Sequence, residues 1–193
     1  DLTFSIRTRA NTVDEELIKK LAEAGCVRVN YGIESGNQGI LKNLNRNIPL
    51  EEIKKAVYWT KKHGIKAFGF FMIGCPGDNH KTINETINFA LSLDLDYVQF
   101  NKLTLVPNSE LYIRVKELNQ IDYWDEYTKG NFDIVKTMPR CNVDVTDKEL
   151  DRLLKKAYLR FYYRPKFIIR QLLNIKSPGQ FLKLFKAALG ILR

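Results

Sequence analysis

The stretch Ile65–Asp78, IKAFGFFMIGCPGD, decides the fold class. After Lys66 it is apolar at nearly every position, so the usual alternation of polar and apolar side chains is missing. A strand with two apolar faces is typical of a parallel sheet that helices cover on both sides. The strand ends in a Gly/Pro-rich loop, and Thr82–Leu93 then has the apolar spacing of a helix. The stretch therefore predicts one strand–helix unit of an α/β protein.

The same unit repeats over residues 1–118. Strands are predicted to begin near positions 3, 27, 65 and 96, and a helix follows each of them. This alternation predicts an α/β fold with parallel strands and right-handed crossovers. About four βα units fit a partial (βα) barrel, and they also fit the middle of an open doubly wound sheet. A half barrel has two open edges, so we expect weak stability or self-association.

Two further segments follow the strand–helix repeats. Residues 119–146 are predicted to be an irregular, aromatic-rich connector. Residues 147–193 are predicted to form a basic amphipathic helical extension, with helices over 147–163, 167–173 and 181–192. The chain therefore divides into a partial barrel over 1–118, the connector, and the extension.

The net charge of +9 is concentrated in the extension. Residues 1–146 carry 19 basic and 19 acidic residues, whereas residues 147–193 carry 12 basic and 3 acidic ones. The favoured explanation is that the extension packs its apolar stripes on the barrel while its lysines face water. Contact of residues 178–193 with a membrane surface is a second explanation. We expect no nucleic-acid partner, because no base-reading motif is present.

The cysteines and the apolar runs give a coarse expectation about the compartment. Cys26, Cys75 and Cys141 form no local pair, which favours a reducing compartment and predicts no metal site in the chain. No apolar run is long enough to span a bilayer. We expect a cytoplasmic protein, with peripheral contact at the inner face of the membrane if the extension binds lipid. The chain begins at Asp1 within a strand pattern, so we expect it to be a piece of a longer protein.

A candidate site lies where the predicted strands end, since parallel βα folds place their sites at the carboxyl ends of the strands. Glu34 and Ser35 follow the second strand, and together they offer acceptors for a vicinal diol such as a ribose. Arg46, twelve residues later, is placed to fold back and bind a carboxylate with two hydrogen bonds. The alternatives are a capping role for Glu34 and a solvated loop position for Arg46.

Four motifs resemble the C-terminal half of a radical S-adenosylmethionine (SAM) enzyme. They are RTRANTVDEELIKKLAEAGCVRVNYGIESGNQGIL (7–41), GFFMIGCPGDNHKTINETINFA (69–90), LTLVPNSELY (103–112) and AYLRFYYRP (157–165). The last is similar to the extension of a subgroup that carries a cobalamin-binding domain and includes anaerobic magnesium-protoporphyrin ester cyclases. Two departures are Asp78, where a Glu is usual, and Asn108–Glu110, where Gly-Thr-Pro is usual.

The resemblance implies a SAM site and an incomplete enzyme. Its implied SAM-binding residues are Arg9, Glu34, Ser35, Arg46, Leu105 and Val106, and no catalytic residue is assigned. The intact parent would hold a [4Fe–4S] cluster and, in the resembled subgroup, cobalamin. The Cys-x3-Cys-x2-Cys motif that ligates the cluster is missing from this sequence, so we expect this piece alone to be inactive.

The resemblance also implies partners and a reaction type for the intact parent. The parent would cleave SAM reductively and transfer a radical or a methyl group, and its partners would be a small-molecule substrate and the upstream half of its own chain. One alternative is a non-catalytic βα-barrel remnant that binds a nucleotide or acts as a scaffold. Another is a conventional sugar-phosphate barrel enzyme.

Overall fold

The computed structural model describes residues 2–131, 144–173 and 179. Its strands are β1 (Phe4–Thr8), β2 (Cys26–Glu34), β3 (Lys66–Ile73) and β4 (Tyr97–Lys102). Its helices are α1 (Glu15–Glu23), α2 (Gln38–Asn43), α3 (Leu50–Lys62), α4 (His80–Ser92), α5 (Glu110–Asn119), α6 (Tyr123–Thr128), α7 (Asp147–Tyr162) and α8 (Pro165–Leu173). The strands form one parallel sheet in the order β1-β2-β3-β4. The predicted α/β fold with four parallel strands is therefore confirmed.

The sheet has one covered face and one uncovered face. Side chains of the covered face are fully buried under the helices, among them Val29, Tyr31, Ile33, Phe71 and Phe100. The alternate residues of β3 point the other way and are only half-buried: Phe68, Phe70 and Met72. The expectation that β3 is buried on both sides therefore holds for its covered face, whereas on the second face its side chains are only half-buried. The apolar side chains of β3 on the second face instead form an aromatic surface open to solvent.

Helix α3 is held on the covered face by a buried tyrosine. The Tyr31 hydroxyl lies 2.7 Å from the Thr60 hydroxyl, and both lie against the Ala56 carbonyl on α3. Burial raises the pKa of Tyr31 to about 12. A buried hydroxyl with no partner would be costly, so this bonded pair fixes which side of α3 faces the sheet.

The outer edge of β4 is closed by two tyrosines of α7. Tyr158 Oη accepts from the Phe100 N–H and donates to the Phe100 carbonyl, at 3.0 and 2.9 Å. Tyr162 Oη does the same at Val98, at 3.1 and 2.7 Å. The tyrosines are four residues apart, one helical turn, and the strand residues are two apart, so each hydroxyl meets one outward-facing peptide. Of the two open edges expected from the sequence, this one is covered.

The cations of the described extension pair with acids at the start of β4. Arg170 contacts Asp96 at 2.6 Å and Asp94 at 3.2 Å, and Lys166 contacts Asp94 at 3.1 Å. Arg164 lies over the Phe161 ring and donates to the Leu95 carbonyl. Residues 147–173 of the basic extension thus pack against the barrel, as the favoured explanation of their charge expected. The predicted helix over 181–192 and the membrane contact over 178–193 lie outside the described residues, apart from Gly179.

The connector is more ordered than the sequence predicted. Asp122 caps α6 by accepting from the Asp125 N–H, and the helix packs Tyr123 beside Leu105 and Tyr112. Residues 132–143, which include Cys141, lie outside the described residues. Among the residues that are described, no helix is both long and apolar enough to cross a membrane.

The β4 edge generates the first prediction. Tyr158→Phe or Tyr162→Phe removes one hydroxyl and leaves one peptide of β4 without its two hydrogen bonds. Each substitution should lower the free energy of unfolding by about 1–2 kcal/mol, because a polar group that stays buried loses its partner. Urea unfolding followed by circular dichroism measures the loss.

The matched control is Tyr58→Phe on α3. Tyr58 is 63% exposed, and its hydroxyl has no hydrogen bond among the described residues. We expect its removal to change stability by less than about 0.5 kcal/mol. Equal effects at all three tyrosines would contradict the assigned role of the α7 hydroxyls.

Candidate functional site

The carboxyl end of β2 carries a bulge that redirects its last side chain. The pairing between β2 and β3 shifts between Gly32 and Glu34, and Glu34 has a φ of 70°, in the left-handed region. Bulges of this kind re-aim side chains, and a non-glycine residue rarely adopts a positive φ. The Glu34 carboxylate thereby lies above Gly32, where an added Cβ would come within 2.9 Å of Glu34 Oε1. Glycine at 32 therefore makes room for the carboxylate on the uncovered face.

Arginines surround this carboxylate. Arg46, from the loop after α2, folds back over the strand end and places Nη2 3.7 Å from Glu34 Oε1. Burial raises the pKa of Glu34, and the charges of Arg46, Arg7 and Arg9 act in the opposite direction. The burial effect is the largest of these, so the carboxylate is held at a net cost that the arginines reduce.

Arg7 also belongs to this group, although only Arg9 from the end of the first strand was predicted to bind the ligand. Its guanidinium lies over the Phe70 ring, 4.5 Å from the centroid. Arg7 lies on β1 opposite Asn30 of β2, on the uncovered face. Its position two residues before Arg9 was the available signal, since residues i and i+2 of a strand share a face.

Ser35 is placed differently from a ligand-contacting residue. Its hydroxyl is buried, lies 2.9 Å from the Thr86 hydroxyl of α4 and accepts from the Asn37 N–H. The Thr86 hydroxyl also accepts from the Gly36 N–H at 3.0 Å. These bonds join the end of β2 to the middle of α4. Thr86 was missed from the sequence because a threonine on the apolar side of a helix gives no specific signal.

Gly36 allows the close approach between that turn and α4. A Cβ added at Gly36 would lie 2.4 Å from Phe89 Cβ and 2.8 Å from Thr86 Cα. No side chain fits in that space without a backbone shift. The turn that carries Glu34 is therefore fixed by direct contact with a helix.

The GCPGD loop is built around a buried acid. The Asp78 carboxylate accepts from the Cys75 N–H at 2.9 Å and from the Thr82 hydroxyl at 2.8 Å. Burial raises the pKa of Asp78, while these hydrogen bonds lower it. Asn43 of α2 donates to the Pro76 carbonyl, so the loop also positions the helix that precedes Arg46.

Leu105 and Val106 lie at the same edge of the sheet, after β4 and two strands from Glu34. The Trp124 indole N–H donates to the Leu105 carbonyl at 3.0 Å, and Ser109 donates twice to the Val106 carbonyl. Among the described residues, the Val106 N–H has no hydrogen-bond partner, and the Val106 side chain is exposed. The chain brings Arg9, Glu34 and Arg46 together, and this backbone segment flanks them.

The described cysteines do not form a metal site. Cys26 and Cys75 are both buried, and the Cys26 thiol donates a hydrogen bond to the Arg28 carbonyl. Within residues 2–131 and 144–173, no group of three or more His, Cys, Asp or Glu side chains is arranged to hold a metal ion.

Comparison with known proteins finds a family model that matches part of this chain. Residues 1–90 match the model of the Radical SAM superfamily. The whole chain is 34% identical to an uncharacterized methyltransferase of Pyrococcus horikoshii, of which it covers 40%. It is 27% identical over 86% of its length to the anaerobic magnesium-protoporphyrin IX monomethyl ester cyclase of Rubrivivax gelatinosus, covering 29% of that protein.

A solved structure shares the fold. The cobalamin-dependent S-adenosylmethionine radical enzyme OxsB, solved with aqua-cobalamin bound, superimposes on 96% of this chain with a TM-score of 0.62. The sequence identity is 14%, and the match covers 33% of that protein. The chain therefore spans well under half the length of the relatives it matches.

The second prediction concerns the half-buried carboxylate of Glu34. A carboxyl whose pKa is raised by folding binds its proton more tightly in the folded state. Its contribution to stability is present at low pH and is lost as the pH rises through the folded pKa. Glu34→Gln removes the charge that burial disfavours, so it should raise the free energy of unfolding at neutral pH. The difference should vanish below about pH 4, where glutamate is protonated in both states.

Unfolding curves collected at several pH values test this expectation. Glu85→Gln is a poor control because Glu85 binds Asn37, whereas Glu52 on α3 is exposed and has no ion pair among the described residues. Glu52→Gln should therefore show no comparable gain at neutral pH. A Glu34→Gln variant that is less stable than the parent at neutral pH would contradict the assignment.

The third prediction concerns Gly36. Gly36→Ala should lower the free energy of unfolding by about 1–3 kcal/mol, because the new methyl group overlaps α4. Gly39→Ala, three residues later on α2, is the matched control: its Cβ would meet only the Asn37 side chain, at 3.2 Å. We expect the control to change stability by less than about 1 kcal/mol in either direction. Denaturant unfolding compares the two variants.

Proposed function

We propose that the carboxyl edge of this sheet binds SAM in a longer radical SAM enzyme, because residues 1–90 match the model of the Radical SAM superfamily. The chain is also 34% identical to an uncharacterized methyltransferase, and we propose that its parent transfers a radical or a methyl group to a small molecule. The observation that carries it is the Glu34 carboxylate, held half-buried in a left-handed bulge with Arg46 3.7 Å away.

The groups at this edge match the functional groups of SAM. Glu34 is suited to accept both hydroxyls of the ribose, because an ionised carboxylate offers two acceptor oxygens. Arg46 and Arg9 are suited to bind the methionyl carboxylate, and the Arg46 guanidinium has the planar fork for two parallel hydrogen bonds. The Val106 N–H, which has no hydrogen-bond partner among the described residues, is suited to bind the edge of the adenine. Ser35 has an indirect role, because its hydroxyl fixes the turn next to Glu34 against α4.

The chain's own residues would therefore orient SAM rather than activate it. The tight β2–α4 contact holds Glu34 in place before the ligand arrives, which reduces the ordering cost of binding. In the longer protein, a [4Fe–4S] cluster would supply the electron for reductive cleavage of SAM. The described residues do not fit that cluster, so we propose that its ligands lie elsewhere in the longer protein.

The remaining partners are also proposals. OxsB binds cobalamin, and we extend that cofactor to the parent of this chain as the further cofactor of a methyl-transfer reaction. We propose a small-molecule substrate and the upstream half of the parent chain as partners, and no nucleic acid. Membrane contact through residues 178–193 remains a proposal from the sequence, as does a cytoplasmic location.

The fourth prediction tests the SAM site by binding. Equilibrium dialysis of SAM against the longer protein, with its cluster reconstituted, should give a Kd about tenfold or more weaker for Glu34→Ala and for Arg46→Ala. Each variant loses a hydrogen-bonding charge, and such bonds contribute about 1.5–3 kcal/mol.

Lys42→Ala on α2 is the control, since Lys42 is exposed and forms no ion pair among the described residues. Its Kd should equal that of the parent. Unchanged affinity in both site variants would remove the SAM assignment. Equal affinity for SAM and for unrelated adenine nucleotides would instead favour the non-catalytic nucleotide-binding alternative.

A further inference from the structure

The amino end of the sheet, opposite the candidate SAM site, contains a second concave region. A pocket of about 390 Å³ opens there, lined by Thr3, Phe4, Ser5, Val27, Arg28, Lys66 and Tyr97. Arg28 and Glu34 are six positions apart on β2, which corresponds to about 20 Å along the strand. The pocket is therefore distinct from the SAM site.

Two cations face each other in this pocket. Arg28 of β2 pairs in register with Lys66 of β3, and both are exposed on the uncovered face. The two side chains share one face of neighbouring parallel strands, so their like charges repel each other. Among the described residues, neither cation forms a salt bridge and none of the side chains that line the pocket is acidic. The repulsion is therefore uncompensated by any described side chain.

The other side chains of the lining complete a site for an anion. Thr3, Ser5 and Tyr97 each carry a hydroxyl that has no hydrogen-bond partner among the described residues. Ser5 lies opposite Arg28 on β1, so it extends the same row across three strands. The Arg28 guanidinium lies 6.0 Å from the centre of the Phe68 ring, and Phe68 contacts the Tyr97 ring. These aromatic contacts orient the arginine at the pocket.

We propose that this pocket binds an oxyanion, the phosphate or carboxylate group of a small molecule, through Arg28 and Lys66. An arginine fork and a lysine ammonium provide the two charges, and the hydroxyls of Ser5 and Tyr97 provide further donors. The anion relieves the repulsion between the cations, so its binding also stabilises the sheet. This site is independent of the SAM proposal and uses none of its residues.

The test measures anion binding to the purified 193-residue chain. Sodium phosphate and sodium acetate are titrated separately, with sodium chloride added to hold the ionic strength constant. Thermal unfolding and titration calorimetry are recorded for each. We expect saturable binding and a rise in Tm for at least one of the two anions, since a ligand that binds only the folded state stabilises it. Phosphate alone would identify a phosphate-bearing ligand, and acetate would extend the class to carboxylates.

Charge-matched variants decide whether Arg28 and Lys66 are responsible. The double variant Arg28→Gln, Lys66→Gln should bind the anion at least about tenfold more weakly. The control is the double variant Lys55→Gln, Lys81→Gln, which loses the same charge from exposed positions on α3 and α4. It should bind the anion as tightly as the unsubstituted chain does. Arg28→Lys, which keeps the charge, should retain most of the affinity. Far-UV circular dichroism verifies that each variant is folded.

Two results would overturn the proposal. One is the absence of saturable binding of either anion to the unsubstituted 193-residue chain. The other is an equal loss of affinity in the double variant and in its charge-matched control, which would indicate a general response to net charge. Glu34→Ala should leave anion binding unchanged, so failure of the SAM assignment and failure of this one are distinguishable.

Discussion

The structure depends on how a short parallel sheet satisfies the backbone of its last strand. β4 presents the peptides of Val98 and Phe100 outward, and the hydroxyls of Tyr162 and Tyr158 bind them where another strand would otherwise be needed. This contact fixes the direction and depth of α7, whose apolar stripe then closes the core against α4 and β4. The cations of α8 reach Asp94 and Asp96 as a consequence. An unprotected edge would expose a template for aggregation.

At the carboxyl edge of the sheet, one contact holds the candidate site in place. Gly36 and Thr86 bring the end of β2 against α4, and the Ser35 hydroxyl closes the joint. Glu34 lies at the boundary between this fixed turn and the bulge. Its carboxylate is therefore positioned by packing and backbone geometry, and Arg46 adds an electrostatic constraint. A site held in this way needs little rearrangement to bind a ligand.

The sequence predicted the elements better than the contacts between them. Strand and helix positions follow from local periodicity, so the four strands and the helix at Asp147 were found within a few residues. The bulge that ends the second strand at Glu34 was not predicted, because a bulge has no periodic signal. Arg46 was expected to fold back over the strand end, but its ion pair with Glu34 was not predicted. The burial of Ser35 against Thr86 was not predicted either, since it depends on a contact 51 residues apart in the sequence. The uncovered face of β3 likewise depends on what packs there.

The uncovered face shows where this chain departs from the arrangement that stability alone would favour. Glu34 combines two costs in one residue, a positive φ without glycine and a carboxylate whose pKa is raised by burial. At the amino end, Arg28 and Lys66 repel each other without a compensating acid among the described residues. Costs of this kind are typical of binding sites, because the ligand supplies the missing partner. The two ends have opposite requirements: a ribose donates to Glu34, and an oxyanion accepts from Arg28 and Lys66. The same sheet face is therefore suited to two ligands of different chemistry, one at each end.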